Sequence, residues 1–360
     1  YQLDRNEEAI GYFNEGLGCI EGEENSKALF SGMCYRLARC QRDSGDANSA
    51  VDSMLKCIEI QSGMEDITPD TMSENYHALG LSYFMAEKYE EAEEAANKAL
   101  ELNPEVNKAG AANILNLLAL ISKNLGNYDK AVEYYKNRIS VLKNIDDEDA
   151  RSAIADTLDD LATLQYQLDR NEEAIGYFNE GLGCIEGEEN SKALFSGMCY
   201  RLARCQRDSG DANSAVDSML KCIEIQSGME DITPDTMSEN YHALGLSYFM
   251  AEKYEEAEEA ANKALELNPE VNKAGAANIL NLLALISKNL GNYDKAVEYY
   301  KNRISVLKNI DDEDARSAIA DTLDDLATLQ YQLDRNEEAI GYFNEGLGCI
   351  EGEENSISQE

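Results

Sequence analysis

The side chains that could carry chemistry are few, and they recur at a fixed interval. His77 and His242 are the only histidines and stand 165 residues apart. Nine cysteines occur: Cys19, Cys34, Cys40 and Cys57, their four counterparts 165 residues on, and Cys349. None forms a C-x-x-C pair, and one histidine among scattered cysteines lacks the ligand spacing of a zinc site. A Cys–His nucleophile needs the two side chains to face each other, and no spacing here brings them together. The run Asp146-Asp147-Glu148-Asp149 lacks the glycine and closing glutamate of an EF-hand loop. Its carboxylates suit the start of a helix, where they complement the dipole. There is no phosphate-binding glycine loop and no N-x-S/T sequon. We therefore expect no catalytic residue, no metal and no cofactor. The cysteines read as small core residues, free cysteine being among the most buried types. The alternative is disulfides within a copy, which needs Cα separations under ~7 Å and an oxidising compartment.

The elements that must position these residues are set by repetition. Tyr1 to Gln165 reappears verbatim as Tyr166 to Gln330, and a third copy runs from Tyr331 to Ser356. Any site in the first copy must recur in the second, which argues against a single-pocket enzyme. Inside each copy lies an older period. The segments beginning at Gly45, Glu87, Gly126 and Asp169 each place a turn before an alanine and apolar residues at helical spacing. The anchoring alanines Ala50, Ala92, Ala131, Ala174, Ala215, Ala257, Ala296 and Ala339 mark diverged repeats of about forty residues. Each repeat reads as two helices and a tight turn. In the clearest one the first helix runs from about Pro69 to Ala86, with Thr68 as N-cap. The second runs from about Tyr89 to Leu102, where Pro104 ends it. No strand-type alternation is present, so the fold class is all-α.

The same repeat carries a family pattern. Tyr76-x-x-Leu79-Gly80-x-x-Tyr83 is followed by Ala92, Ala96, Ala99 and Pro104. It resembles the tetratricopeptide repeat, and the extra length per repeat is similar to that of the kinesin light chain subclass. The other three repeats depart from it: Cys34, Leu115 and Leu158 stand for the first aromatic, and Ala38, Ala119 and Ala162 for the glycine. The resemblance implies a right-handed helical solenoid of eight helix pairs plus one unpaired opening helix. It implies a concave groove and no chemistry. One helix pair cannot bury its apolar face alone, so stability is a sum over repeats and interfaces. We expect one solenoid, 1–360, made of identical copies at 1–165 and 166–330 and a partial copy at 331–360.

The resemblance also names the groove wall, which comes from the first helix of each repeat. In the first copy these positions are Tyr35, Arg39 and Arg42; Glu74, His77, Leu81, Phe84 and Met85; Asn113, Asn116, Leu120, Lys123 and Asn124; and Asp156, Asp159, Thr163 and Tyr166. In the second copy the main candidates are Tyr200, Arg204, Arg207, His242, Phe249, Met250, Asn278, Asn281 and Lys288. Arg36, Arg39 and Arg42 form the densest basic cluster of a very acidic chain. Phe84 and Met85 offer adaptable apolar surface. Asn113 and Asn116 are expected to hydrogen-bond an extended peptide backbone, as asparagine-lined grooves of this family do. The Lys/Asn set of the family's two-carboxylate clamp is absent. The opposing expectation is that the arginines pair with neighbouring acidic helices and the groove is merely solvated.

Charge narrows the partners. The net charge is −39, spread evenly along the copies, with two thirds of charged residues acidic. Such a surface repels nucleic-acid phosphate and anionic membrane and favours solubility and basic partners. No stretch approaches the ~20 apolar residues of a membrane span; the longest candidate, Ile114 to Ile121, is interrupted by Asn116. The primary expectation is a non-catalytic scaffold that holds an extended or helical segment of a partner protein in the groove. The runner-up is a structural polymer that self-associates through solenoid ends. The compartment stays open between cytoplasm and an extracellular fibre. Ala9, Ile10, Phe13 and Leu17 on the helix at about Arg5 to Glu21 should be partly uncovered, and we expect either that the native polypeptide continues before Tyr1 or that another chain's end covers this helix.

Overall fold

The computed structural model describes residues 2–20, 26–103, 105, 107–268 and 272–357. Among them are seventeen α-helices and no strand. They are α1 (Gln2–Ile20), α2 (Lys27–Asp43), α3 (Ala47–Ser62), α4 (Pro69–Met85), α5 (Tyr89–Leu102), α6 (Lys108–Asn124), α7 (Tyr128–Leu142) and α8 (Glu148–Gln167). There follow α9 (Asn171–Cys184), α10 (Lys192–Asp208), α11 (Ala212–Ser227), α12 (Pro234–Met250) and α13 (Tyr254–Leu267). The last four are α14 (Lys273–Asn289), α15 (Tyr293–Leu307), α16 (Glu313–Gln332) and α17 (Asn336–Ile357). The chain divides into two compact units, Tyr1–Leu168 with Gly183–Ile185, and Asp169–Leu182 with Glu186–Glu360.

The first unit stacks helix pairs. α1 packs on α2, and α2/α3, α4/α5 and α6/α7 are the tightest partners, each pair joined side by side to the next. The second unit repeats this with α10/α11, α12/α13, α14/α15 and α16/α17. Local chemistry sets the helix starts. The Thr68 side chain accepts from the Thr71 amide with Pro69 in the first turn, Asp46 accepts from Ser49, and Asn107 accepts from Gly110. The α4 and α5 limits agree with those read from sequence. Asn103, at the end of α5, is extended, with φ −68° and ψ 123°, as a residue before proline must be; Pro104 itself lies outside the described residues. The opening helix begins earlier than expected, at Gln2, and Glu21 falls outside the described residues.

The turn inside a pair needs one residue in the left-handed region. Gly45 and Gly126 supply it between α2/α3 and α6/α7, with φ 88° and 74°. Between α4 and α5 a non-glycine, Glu87, takes φ 58°. The turn is closed in each case by a backbone bond, such as Lys88 N to Tyr83 O at 2.9 Å.

Small residues allow the close approach. A Cβ on Gly80 would lie 3.4 Å from both Ala92 O and Ala96 N and 3.1 Å from a Leu117 methyl. Ala92, Ala96 and Ala99 are fully buried, and Leu118 and Ile121 pack into the same cluster. Ala257, their counterpart in the second unit, has zero exposure. Ala257→Leu should therefore overpack the α12/α13 contact and lower the unfolding free energy by ~1–3 kcal/mol, read as a lower urea midpoint; an unchanged midpoint would show a softer contact.

A buried polar ladder fixes how α2, α3 and α4 stack. Gln61 Nε2 donates to Ser31 Oγ, Asn75 Nδ2 donates to Gln61 Oε1, and the Cys57 thiol points at Asn75 Oδ1. A sliding shift of one helix would leave these groups desolvated and unpaired. On α1, Ala9, Ile10, Phe13 and Leu17 are half-buried, the partial cover expected for that helix.

Candidate functional site

The site grows from the first helices α2, α4 and α6, which touch in that order. In the first unit Arg42 of α2 lies along α4, its Nη1 donating to Ala78 O at 3.4 Å. Beside it His77 of α4 is held neutral. Burial, with the nearby Arg42 guanidinium adding to it, pushes its pKa down to about 4. His77 then lines a pocket of about 260 Å³ between α4 and α6, with Ser73, Glu74, Asn103, Asn107, Ala109, Gly110, Asn113 and Ile114. The pocket frame is rigid. Asn107 Nδ2 donates to Asp70 Oδ1 at 2.7 Å, Asn103 Nδ2 donates to Asn107 O at 2.9 Å, and Ser73 Oγ donates to Ala99 O at 2.7 Å. Gly110 has no room for a side chain: a Cβ there would sit 2.6 Å from Asn107 Nδ2. Glu74, His77 and Asn113 line the pocket beside this frame, and Glu74 and Asn113 are exposed.

Arg42 thus lies beside His77, and His77 and Asn113 line one pocket. Arg39 is exposed on the same helix, one turn from Arg42. The second unit reproduces the arrangement: Arg207 lies beside a neutral His242 with a pKa of about 4, and Asn272 bonds Asp235 at 2.8 Å. There Arg207 also pairs with Asp208 at 4.0 Å; Arg204 is exposed, and Asn278 is exposed on α14 as Asn113 is on α6.

Other candidates have structural partners. Asn116 Oδ1 accepts from Arg138 Nη1 at 2.9 Å, and Asn281 from Arg303 at 2.9 Å. The oxygen of Asn116 therefore already has one partner within the fold, and its amide NH2 takes no part in that bond. Phe84 stacks edge-on against Tyr89, ring centres 5.7 Å apart, as Phe249 does on Tyr254; both act more as core than as open surface. Met85 and Met250 are half exposed, at 49% and 50%. Tyr35 and Tyr200 pack against the Val51–Met54 and Val216–Met219 clusters. Lys123 and Lys288 are half-buried on α6 and α14, within electrostatic reach of Asp160 and Asp325.

Arg138 escaped the sequence reading. It sits in α7, a second helix, and reaches between α6 and α8 to face Asp160 and Asp156. The available signal was a lone arginine amid the apolar positions Tyr135, Ile139 and Leu142, all buried. Among the described residues no cysteine is in a disulfide. Cys57 and Cys222 are fully buried, and burial pushes both thiols up to about 12, so neither is a thiolate at neutral pH. Among the described residues, no group of three or more His, Cys, Asp or Glu could hold a metal ion. Among them no helix is long and apolar enough to cross a membrane.

Stacked antiparallel helix pairs with a small-residue crossing and a wall of first helices define a tetratricopeptide-type helical repeat protein. Tetratricopeptide-repeat family models match residues 31–63, 73–106 and 110–186, and again 196–228, 238–271 and 275–350. The chain belongs to the tetratricopeptide repeat family. It is similar to Protein KINESIN LIGHT CHAIN-RELATED 3 of Arabidopsis thaliana, 22% identical over 342 residues, covering 92% of this chain and 52% of that protein. It is also 20% identical over 319 residues to Protein KINESIN LIGHT CHAIN-RELATED 2 of the same plant, covering 83% of this chain and 48% of that protein. The chain thus spans about half the length of the curated relatives it matches. Among solved structures, the apo form of RapI superposes with a TM-score of 0.63 at 13% identity, over 90% of this chain and 98% of RapI. The apo form of the quorum sensor NprR from B. thuringiensis does so with a TM-score of 0.52 at 14% identity, over 97% of each chain. These two likenesses support the fold. Tetratricopeptide proteins bind protein partners and are generally non-catalytic scaffolds.

Proposed function

We propose that this protein is a non-catalytic scaffold whose first-helix wall, once in each unit, holds an extended segment of a partner protein. The observation that supports this reading is the pocket between α4 and α6, lined by Glu74, His77 and Asn113, with Arg42 beside His77. A neutral imidazole can donate and accept, and an amide can pair with both sides of a peptide unit. The arginines add attraction for acidic side chains. The chain's strong negative charge keeps unselective acidic ligands away, so these few cations act as a local exception.

The test is an array of random ten-residue peptides, followed by hydrogen exchange on the best binder. Bound peptide should protect α2, α4 and α6 together with α10, α12 and α14. Replacing Arg39, Arg42, Arg204 and Arg207 by alanine should weaken acid-containing binders by roughly tenfold and flatten their salt dependence. Protection confined to the second helices, or binding indifferent to the four substitutions, would overturn the reading.

A further inference from the structure

The same helix sequence occurs three times, in α1, α9 and α17, and its apolar residues are covered to three different extents. On α17, Ala339, Tyr342, Gly346 and Cys349 turn inward. Ala339 is buried, Gly346 lies against Leu323 of α16, and Tyr342 and Cys349 pack on the cluster built by α15 and α16. One step round the helix, Ile340, Phe343 and Leu347 make a second stripe at helical spacing, and all three are exposed. Their counterparts on α9 are covered: Phe178 is 1% exposed against 38% for Phe343, and Ile175 and Leu182 are half-buried.

The first unit shows what this stripe fits. Leu17 of α1 is the counterpart of Leu347, and with Ile20 it packs on the buried cluster of Phe30, Cys34 and Cys57 where α2 meets α3. α1 fills that seat incompletely. Leu29 on α2 is exposed and Met33 and Cys40 are half-buried, whereas on α10 Leu194 is half-buried and Met198 and Cys205 are fully buried. There the Cys205 thiol reaches the Asn171 carbonyl of α9 at 3.4 Å. We infer that this chain binds copies of itself head to tail, the Ile340–Phe343–Leu347 stripe of α17 in one copy replacing α1 on α2 of the next. The seat accepts either helix because the two sequences are the same. α17 has the advantage of its backing: it is already ordered on α16, so docking covers both its faces and closes over Leu29, Met33 and Cys40. α1 covers the seat with one face and leaves Tyr12 exposed. Releasing α1 gives up the cover of Leu17 and Ile20, so the gain is the difference in fit and the association depends on concentration. The contact is heterologous: each copy offers one stripe and one seat, and joining continues from copy to copy.

Sedimentation velocity of the full chain over a concentration series tests this. The average mass should rise with concentration, and further with salt, because screening relaxes the repulsion between two strongly acidic chains and leaves an apolar contact in place. Phe343→Asp with Leu347→Asp should return the mass to one chain with circular dichroism unchanged, both side chains being exposed. Leu17→Asp should act in the opposite sense, loosening α1 and raising the mass at a given concentration, and the two α17 substitutions should cancel that rise. Under mild oxidation, Asn336→Cys should give disulfide-linked chains that disappear with Cys40→Ser, since position 336 repeats Asn171 and Cys40 repeats Cys205. A single-chain mass at every concentration would overturn the inference, as would a mass unmoved by Leu17→Asp or association that survives the α17 substitutions. A cross-link that persists with Cys40→Ser, the result of two α17 helices meeting back to back, would overturn it too.

Discussion

Leu118→Ala should lower the unfolding free energy by ~2–5 kcal/mol. Leu118 has zero exposure in α6 and packs against Ala92, Ala96 and Ala99 of α5 and against Ile114, Leu117 and Ile121 of its own helix. Three of those neighbours are alanines, with no side chain long enough to fill the hole, and Ala92 and Ala96 already crowd the Gly80 crossing. The loss should therefore fall in the upper half of the range, since cost grows with the cavity that remains. The duplication supplies an internal control. Leu283 occupies the same place in the second unit, in a cluster of Ala257, Ala261 and Ala264. In a stack whose repeats contact only their neighbours, damage stays local. Native-state hydrogen exchange should show α4 to α7 losing protection while α12 to α15 keep theirs. Equal loss in both would show that stability is not a sum of neighbouring terms.

How far the sequence alone could see follows from the kind of information each feature carries. The helix pairs were legible because an alanine or glycine at a crossing leaves a mark at that position: Gly80 and Ala92 announce the contact they make. The turns were legible at Gly45 and Gly126, where the left-handed backbone calls for glycine. At Glu87 the repeat pattern marks the turn, but the residue type does not mark its left-handed conformation, φ 58°. Of the wall residues, the sequence placed His77 and Asn113 at helical spacing on α4 and α6, and both line the one pocket, with Arg42 beside His77. What was not legible is which wall residues are already engaged. Asn113 and Asn116 look alike in sequence, three residues apart. Only one faces Arg138, and that contact comes from a different helix 22 residues on. The same holds for the ladder of Ser31, Gln61 and Asn75, three polar residues that look solvated one at a time and are buried because they meet.

Acid should destabilise this protein well before its carboxylates explain it, through the two histidines. His77 and His242 have ordinary values of 6.5, brought down to about 4 in the fold by burial first and by Arg42 or Arg207 second. Between those limits the unfolded chain binds protons that the folded chain refuses, so stability falls as pH drops through this window. The shift sets a ceiling of ~3 kcal/mol per histidine near pH 4, and about 2 kcal/mol of it should be lost between pH 7 and pH 5. Asp211 acts elsewhere: its hydrogen bonds to Ser214 hold its carboxyl below 3.8, so its contribution disappears only in stronger acid. Asp156, Asp160 and Asp325, raised chiefly by burial, pull the other way as they take up protons in the fold. Replacing both histidines by glutamine isolates the effect, because glutamine keeps a polar, uncharged side chain at every pH. The urea midpoint of the His77→Gln, His242→Gln variant should change far less than wild type between pH 7 and 5; parallel declines would show that the imidazoles are not held neutral. Arg42→Ala then separates the two causes. Removing the cation should raise the His77 pKa seen by NMR yet leave it below 6.5, because burial remains the larger cause and Arg42 only reinforces it.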